Sequence, residues 1–380
     1  MLFDLTGSCE TACGTATGID RVISMGGETD RDANIQLHAR VEPVADEWDA
    51  LADRAASVPW ARPGWFRAWY DAFAPGEAQV ITLRRGSALV GVVPLTSRRG
   101  VVRAASNWHT PEFRLIADSD ALEQLAGAVM ARRPHRIALQ FVDSDEAGTR
   151  ACRAAAEDAG YSIQVRTLER SPYIETGGDW DAYTRGRNGK LLRELGRRRR
   201  RLEAEGRFAF EVHDGSERLE ELLEEGFRVE AAGWKAAAGS AIASQPATRR
   251  FYSEIGRWAA ARDWLRLAFL RLDSRPFAFD FGLQHDGVHY LLKTGYDPAY
   301  GRFAPGMLLR HEMVARAFGE GLRSYEFLGA DEPWKLEWTN TVRERVLFQA
   351  FAPTLRGRLE RRAFAYGRPL AKRALALAGR

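Results

Sequence analysis

Two tandem domains of the α/β (α+β) class, each a mixed, mostly antiparallel sheet flanked by helices, are predicted by three observations. At 380 residues the chain exceeds the roughly 250–300 over which one core keeps growing. Segments that alternate like strands interleave with segments of helical spacing along most of it. The order strand, two helices, three-stranded meander, helix, strand then occurs twice.

Residues 1–34, rich in Gly, Thr and Ala, read as a disordered leader. The first domain is expected over 35–170. Residues 35–44 suit a strand, and 46–56 and 64–73 suit helices, the second opened by Pro63 at a favoured first-turn position. The runs 79–84, 88–96 and 100–104 make a meander, followed by a helix at 121–131, a strand at 136–142, a helix at 146–159 and a strand at 161–167. A second domain is expected over 171–353, entered through a helical connector at 180–204. There 207–213 is a strand, 217–232 and 247–262 are helices, and 264–272, 276–283 and 288–294 form the second meander. A helix at 307–318 and a strand at 323–328 complete it, and 354–380 is a basic helical tail. Residue identity between the halves is slight, so the repeat is one of architecture.

Composition narrows the function classes. Hydrophobic residues make up 45% and charged residues 28%, as in ordinary globular proteins. No apolar run approaches the roughly 18 residues of a membrane span, and the N-terminus lacks the basic-then-apolar pattern of a secretory signal. A cytoplasmic protein is expected. Cys9, Cys13 and Cys152 are too few for a disulfide framework and read as reduced thiols. The net charge of +4 is unevenly spread: residues 185–201 carry +8 and 354–380 carry +7, which leaves −11 elsewhere. Basicity this local suggests docking surfaces rather than general DNA affinity. His311-Glu312 starts like a zinc helix, but Ala315 stands where the second histidine belongs, and no metal is expected. Nucleophile elbow, P-loop and dinucleotide fingerprint are all absent.

The stretch from Gly287 to Gly321 is the richest in chemistry. A half-buried strand, a turn over 296–303 and the punctuation Pro305-Gly306 lead into a helix, and a helix N-terminus offers N–H groups and positive dipole to an anion. Gly306, Met307 and Leu308 are the expected donors. Only five lysines stand among fifty-five basic residues, so Lys235, Lys293 and Lys335 draw notice as compact charges kept where Arg is the default. Asp280 interrupts the apolar run 277–283, either on a polar strand face or as a base, with Phe277, Phe279 and Phe281 on the opposite face. Asp297 either caps a turn or serves as a base. Glu326 ends a buried-looking strand beside the expected cleft. Trp234, Trp334 and Trp338 form either core or an acceptor wall. Arg198 shares the stripe of Leu191, Leu195 and Leu202, where it snorkels or reaches an anionic acceptor, while the other arginines of 197–201 form a solvated face. The tail rests on an anionic membrane or packs back on the protein.

With this element order, the stretches GWK (233–235), KTGYDPAY (293–300), APG (304–306), EFLGA (326–330) and PWKLEW (333–338) resemble the Gcn5-related N-acetyltransferases. Within them the chain is similar to the CelD-like acetyltransferases of bacterial polysaccharide formation, and in turn to the Fem-type peptidyltransferases with two acetyltransferase-like halves. The resemblance covers residues 48–351. That superfamily marks its cofactor loop with Arg or Gln, two variable residues, Gly, a variable residue, then Gly or Ala. Here Arg302 fits the first position, but Pro305 and Met307 hold the glycine positions. Proline has no N–H, so one donor is lost.

The resemblance implies direct transfer of acetyl from acetyl-CoA to an amine, or a hydroxyl, of a sugar or cell-envelope precursor. Main-chain donors near Leu292, Lys293 and Thr294 would face the thioester oxygen, and Tyr296 or Tyr300 would protonate the thiolate. An amine of pKa about 10.4 is neutral in only about one molecule per thousand at pH 7, so Glu326, Asp280 or Asp297 would collect its proton. A Fem-type alternative uses an aminoacyl-tRNA donor, with the arginine helix on RNA phosphates. A further alternative is a non-catalytic scaffold of a polysaccharide synthase. The first half has no recognisable cofactor loop, since 107–111 (NWHTP) contains no glycine, and it is expected to be structural or acceptor-binding.

Overall fold

In the computed structural model, which describes residues 21–23, 33–55, 58–187, 189–233 and 242–367, fourteen strands join in one mixed sheet. The first half contributes β1 (Arg21–Ile23), β2 (Ala33–His38), β3 (Ala78–Arg85), β4 (Ala88–Arg98), β5 (Val101–Ala104), the short β6 (Ile116–Ala117), β7 (Arg136–Val142) and β8 (Ser162–Glu175). From the second come β9 (Phe208–His213), β10 (Leu265–Leu272), β11 (Arg275–His285), β12 (Val288–Tyr296), β13 (Ser324–Glu326) and β14 (Val342–Phe351). Each half sets an antiparallel meander beside one parallel pair, β5 with β7 and β12 with β13.

The halves exchange their terminal strands. β14 lies between β7 and β8, antiparallel to both, and the far end of β8 pairs with β13. The expected boundary at 170/171 therefore falls inside β8, and residues 342–351, assigned by sequence to the second domain, are built in beside β7 of the first. The sequence reading assigns no element to 342–351, where Arg343, Glu344 and Arg345 follow Val342 at the start of the strand.

Eleven α-helices flank this sheet among the described residues. They are α1 (Ala45–Ala55), α2 (Pro63–Phe73), α3 (Leu122–Ala131), α4 (Ala147–Asp158), α5 (Trp180–Arg185), α6 (Gly189–Glu203), α7 (Leu219–Ala231), α8 (Pro246–Ala260), α9 (Pro305–Gly319), α10 (Pro333–Leu336) and α11 (Leu355–Arg362). The connector is thus two helices, α5 and α6. One core gathers Trp48, Trp65, Phe251, Phe279 and Phe281; the other, beneath α6 and α9, gathers Leu195, Leu202, Phe277, Leu309 and Met313. Burying each such side chain stabilises the fold by roughly 1.5–3 kcal/mol. Across the halves, α2 meets α8 through Trp65 and Phe251, edge to face at 5.2 Å. Gly64 permits this approach: a Cβ there would lie 2.0 Å from Trp258 Nε1.

Strand β11 corrects the expected alternation. Pairing passes from Leu270↔Ala278 to Arg271↔Pro276, so Phe277 bulges out of the ladder and joins Ala278 in the second core, stacked 4.6 Å from Tyr300. The described part of the tail packs back on the protein, with Glu360 bonded to Arg136 at 3.3 Å and Phe364 6.0 Å from Phe351. Leu355 and Leu359 are exposed. Among the described residues, no helix is long and apolar enough to cross a membrane.

Candidate active site

Strands β12 and β13 run parallel for only three pairs, Val288↔Ser324 to Tyr290↔Glu326. β12 then continues to Tyr296 while the other chain leaves the sheet, turned by Leu328 and Gly329 at φ +53° and +60°. Just past the point of separation β12 carries a bulge: Phe281 pairs with Lys293 and Gly282 with Leu291, so Leu292 is the extra residue. A pocket of 180 Å³ fills the gap, lined on β12 by Leu291, Leu292, Lys293 and Thr294. The first half closes its other side with Trp108, His109, Thr110 and Pro111. Among the described residues no His, Cys, Asp or Glu group is arranged to hold a metal.

The helix that opens beside this gap is α9. Its N-cap, Ala304, is left-handed (φ 52°, ψ 58°), and the Ala304 carbonyl accepts from both Met307 N–H and Leu308 N–H at 3.0 Å, the latter the first bond of the helix. Two of the three expected donors are therefore engaged, and Pro305 has none. Gly306 N–H remains, with no partner among the described residues; the ring of Tyr296 lies over this residue, 3.5 Å from the place of a Cβ. Arg302, expected at the cofactor loop, instead bonds Glu205 at 2.7 Å and stacks on Phe303.

Several expected site residues have structural partners. Asp280 is fully buried, on neither a polar face nor a substrate surface; it pairs at 2.8 Å with the equally buried Arg310 of α9, which also meets the Tyr325 hydroxyl. Removing one partner of such a pair costs about 3–5 kcal/mol, because a charge is left alone in the core. Asp297 caps the turn after β12 by accepting from Ala299 N–H at 2.9 Å. Trp338 is core, 1% exposed. Arg198 bonds Glu194 one helical turn back at 2.8 Å, and Arg199 bonds Glu203 at 2.9 Å and Glu312 at 2.7 Å. The arginine run of α6 is thus partly neutralised by carboxylates. Trp234 and Lys235 lie outside the described residues.

Others do meet at the gap. Lys293 sits with its ammonium 5.4 Å from the centre of the Tyr252 ring. Lys335 donates to the carbonyls of Leu328 at 2.7 Å and Ala330 at 2.9 Å, so it clamps the chain that leaves β13; burial lowers its pKa, opposed by Glu332. Trp334 lines the same pocket beneath the Arg310 guanidinium. Sequence reading missed His109 and Tyr252, which face each other there, Tyr252 Oη to His109 Nδ1 at 3.4 Å. Burial, with the Lys293 charge nearby, lowers the His109 imidazole to about 4, so it is neutral at pH 7. Burial raises the Tyr252 hydroxyl, which stays protonated. Tyr252 occupies a core-like position on α8, and His109 a loop of the other half, so no local pattern marks either.

Pro111 and Leu328 also border a second cavity, of 890 Å³, on the sheet face opposite α9. Glu326 stands in it, 5% exposed. Its Oε1 accepts from Arg343 Nε and Nη2 at 3.1 Å, and Oε2 has no partner among the described residues. Burial pushes the Glu326 carboxyl above its usual range, and the Arg343 guanidinium pulls the other way. Beside it, Tyr290 meets Trp60 edge to face at 4.7 Å.

A model of the acetyltransferase (GNAT) domain matches residues 189–336, the segment that holds β12, β13 and α9. Three solved structures share the fold. FemX aligns with a TM-score of 0.55 at 11% identity, covering 80% of this chain and 95% of its own. A domain from Agrobacterium fabrum, designated the C-terminal domain of a lysylphosphatidylglycerol synthetase, aligns with 0.54 at 13% over 81% and 92%. A conserved protein of unknown function from Bacteroides thetaiotaomicron aligns with 0.52 at 12% over 83% and 99%. No curated protein matches the chain.

Proposed function

We propose that this chain is an acyltransferase that moves acetyl from acetyl-CoA directly to an amine of a sugar or cell-envelope precursor. The observation that carries the reading is the separation of β12 from β13 just before the Leu292 bulge, with α9 opening against Tyr296 where the same strand ends. Such a gap admits an extended thioester arm between two strands, and the Gly306 amide and dipole of α9 suit its diphosphate. Bound there, acetyl-CoA would supply an activated acetyl thioester. The polysaccharide setting rests on the sequence resemblance to the CelD-like acetyltransferases.

This chain's own groups divide the remaining work. Main chain at Leu292 is the proposed donor to the thioester oxygen, a role that fixed dipoles fill without reorganisation. Glu326 Oε2 is the proposed acceptor of the amine proton; its raised pKa brings it nearer that of the proton it takes. Tyr252, and neither Tyr296 nor Tyr300, lines the 180 Å³ pocket and holds a proton for the departing sulfur. The new bond joins the amine nitrogen to the acetyl carbon as the carbon–sulfur bond breaks, so no enzyme nucleophile is needed.

Calorimetric titration with acetyl-CoA tests the reading. The native chain is expected to give a binding isotherm that Gly306→Glu abolishes, because a carboxylate would stand against the diphosphate. Absence of binding to the native chain sinks it.

A further inference from the structure

The 890 Å³ cavity is within the range of small-molecule sites, roughly 300–1,000 Å³. Its charges are unevenly matched. Six carboxylates line it, those of Glu112, Asp143, Glu146, Glu175, Asp286 and Glu326, against four guanidiniums. Every guanidinium already holds a carboxylate. Arg114 bonds Glu112, Arg345 bonds Glu112 at 2.9 Å and Asp143 at 3.3 Å, Arg343 bonds Glu326 at 3.1 Å, and Arg323 bonds Asp286 at 2.7 Å. Glu146 and Glu175 hydrogen-bond no arginine: Glu146 caps α4 through Thr149 N–H and shares the field of Arg114 with Glu112, and Glu175 stands exposed at the end of β8.

A phosphate entering here would find no spare guanidinium and an excess of negative charge. An ammonium group would find the reverse. Two polar groups of buried residues line it without hydrogen-bond partners among the described residues, Glu326 Oε2 and the Tyr290 hydroxyl, the residues being 5% and 6% exposed. Burial and the neighbouring Glu326 and Glu112 raise the Tyr290 pKa, so its hydroxyl remains neutral.

We propose that this cavity takes an acceptor bearing at least two ammonium groups and no phosphate: one amine at Glu326 for acylation, the second held by Glu146 and Glu175. The inference rests on the acyl-transfer reading for the role of the bound molecule, and on the cavity alone for its chemistry. It narrows the acceptor to an unphosphorylated aminated sugar or an alkyl polyamine and sets aside nucleotide-activated sugars.

The test is calorimetry on the full chain with three probes: the disaccharide of glucosamine with both amines free, 1,4-diaminobutane, and glucosamine 6-phosphate. At least one diamine is expected to bind, weakened about two- to five-fold by Glu175→Gln, as for a partly exposed charge pair. Binding of the disaccharide alone identifies a sugar source and binding of diaminobutane alone an alkyl one; both support the proposal. It is overturned if neither diamine binds, if glucosamine 6-phosphate binds more tightly than either, or if Glu175→Gln and Glu146→Gln both leave diamine affinity unchanged. Acetyl-CoA titrated in parallel separates the two claims: coenzyme binding without diamine binding removes this inference alone, and diamine binding without coenzyme binding removes the acyl-transfer reading alone.

Discussion

Glu326, the proposed base, shows how surroundings set the chemistry of one residue. As the last residue of β13 it lies where the parallel pair ends, and burial raises its pKa while Arg343 holds only one of its oxygens. A base acts only when deprotonated, so activity should rise with pH through this raised pKa. Removing Arg343 takes away a group that lowers it, and Arg343→Ala should move the acidic limb of the rate profile to higher pH. Glu326→Gln should reduce kcat about 10²- to 10⁴-fold, the usual worth of a general base, with acetyl-CoA affinity unaltered. Thiol release against pH measures both, and an acidic limb that stays in place in Arg343→Ala argues for another base. Its position beside a cleft is legible in the sequence, since it closes an apolar strand just after the helix. Asp280 is equally conspicuous in its run of phenylalanines, yet its partner Arg310 lies thirty residues on and meets it only because α9 folds back over β11.

At the scale of elements, two features shape the proposed donor site. The bulge of β12 offsets Leu292 from the ladder, and the start of α9 at Pro305 leaves the Gly306 amide free. Strand and helix are both readable from spacing and from Pro305-Gly306, but a bulge is a mismatch between two strands and has no signature in one of them. The reading of three donors on α9 exceeds what the structure leaves open: Leu308 N–H makes the first i→i−4 bond of the helix and Met307 N–H also reaches the Ala304 carbonyl, so only Gly306 N–H stays free among the three. Leu292→Pro removes the bulge amide at a position where a strand tolerates proline. It should reduce kcat about 10²- to 10³-fold, as loss of one oxyanion donor does, while acetyl-CoA still binds by titration. An unchanged kcat would exclude that amide from the reaction.

Considered as a whole, the molecule is one sheet whose halves trade their last strands, so neither half completes its sheet alone. Heating should therefore give a single calorimetric transition, with the calorimetric and van't Hoff enthalpies in agreement; two resolved transitions would show that the halves unfold independently. The exchange also sets the site. β8 and β14 bring Glu175, Arg343 and Arg345 against β13, and the loop of 107–114 brings His109, Glu112 and Arg114 from the first half. By itself the sequence determined the α/β class, the doubled order of elements and a helix just after Pro305-Gly306, because these depend on periodicity and on the local geometry of Pro and Gly. Only the tertiary structure decided the strand exchange, the pairing of Asp280 with Arg310 and the joining of Glu326, Tyr290 and Glu112 around one cavity. Contacts between residues thirty to more than two hundred positions apart depend on which surfaces bury each other, and a linear pattern does not record that.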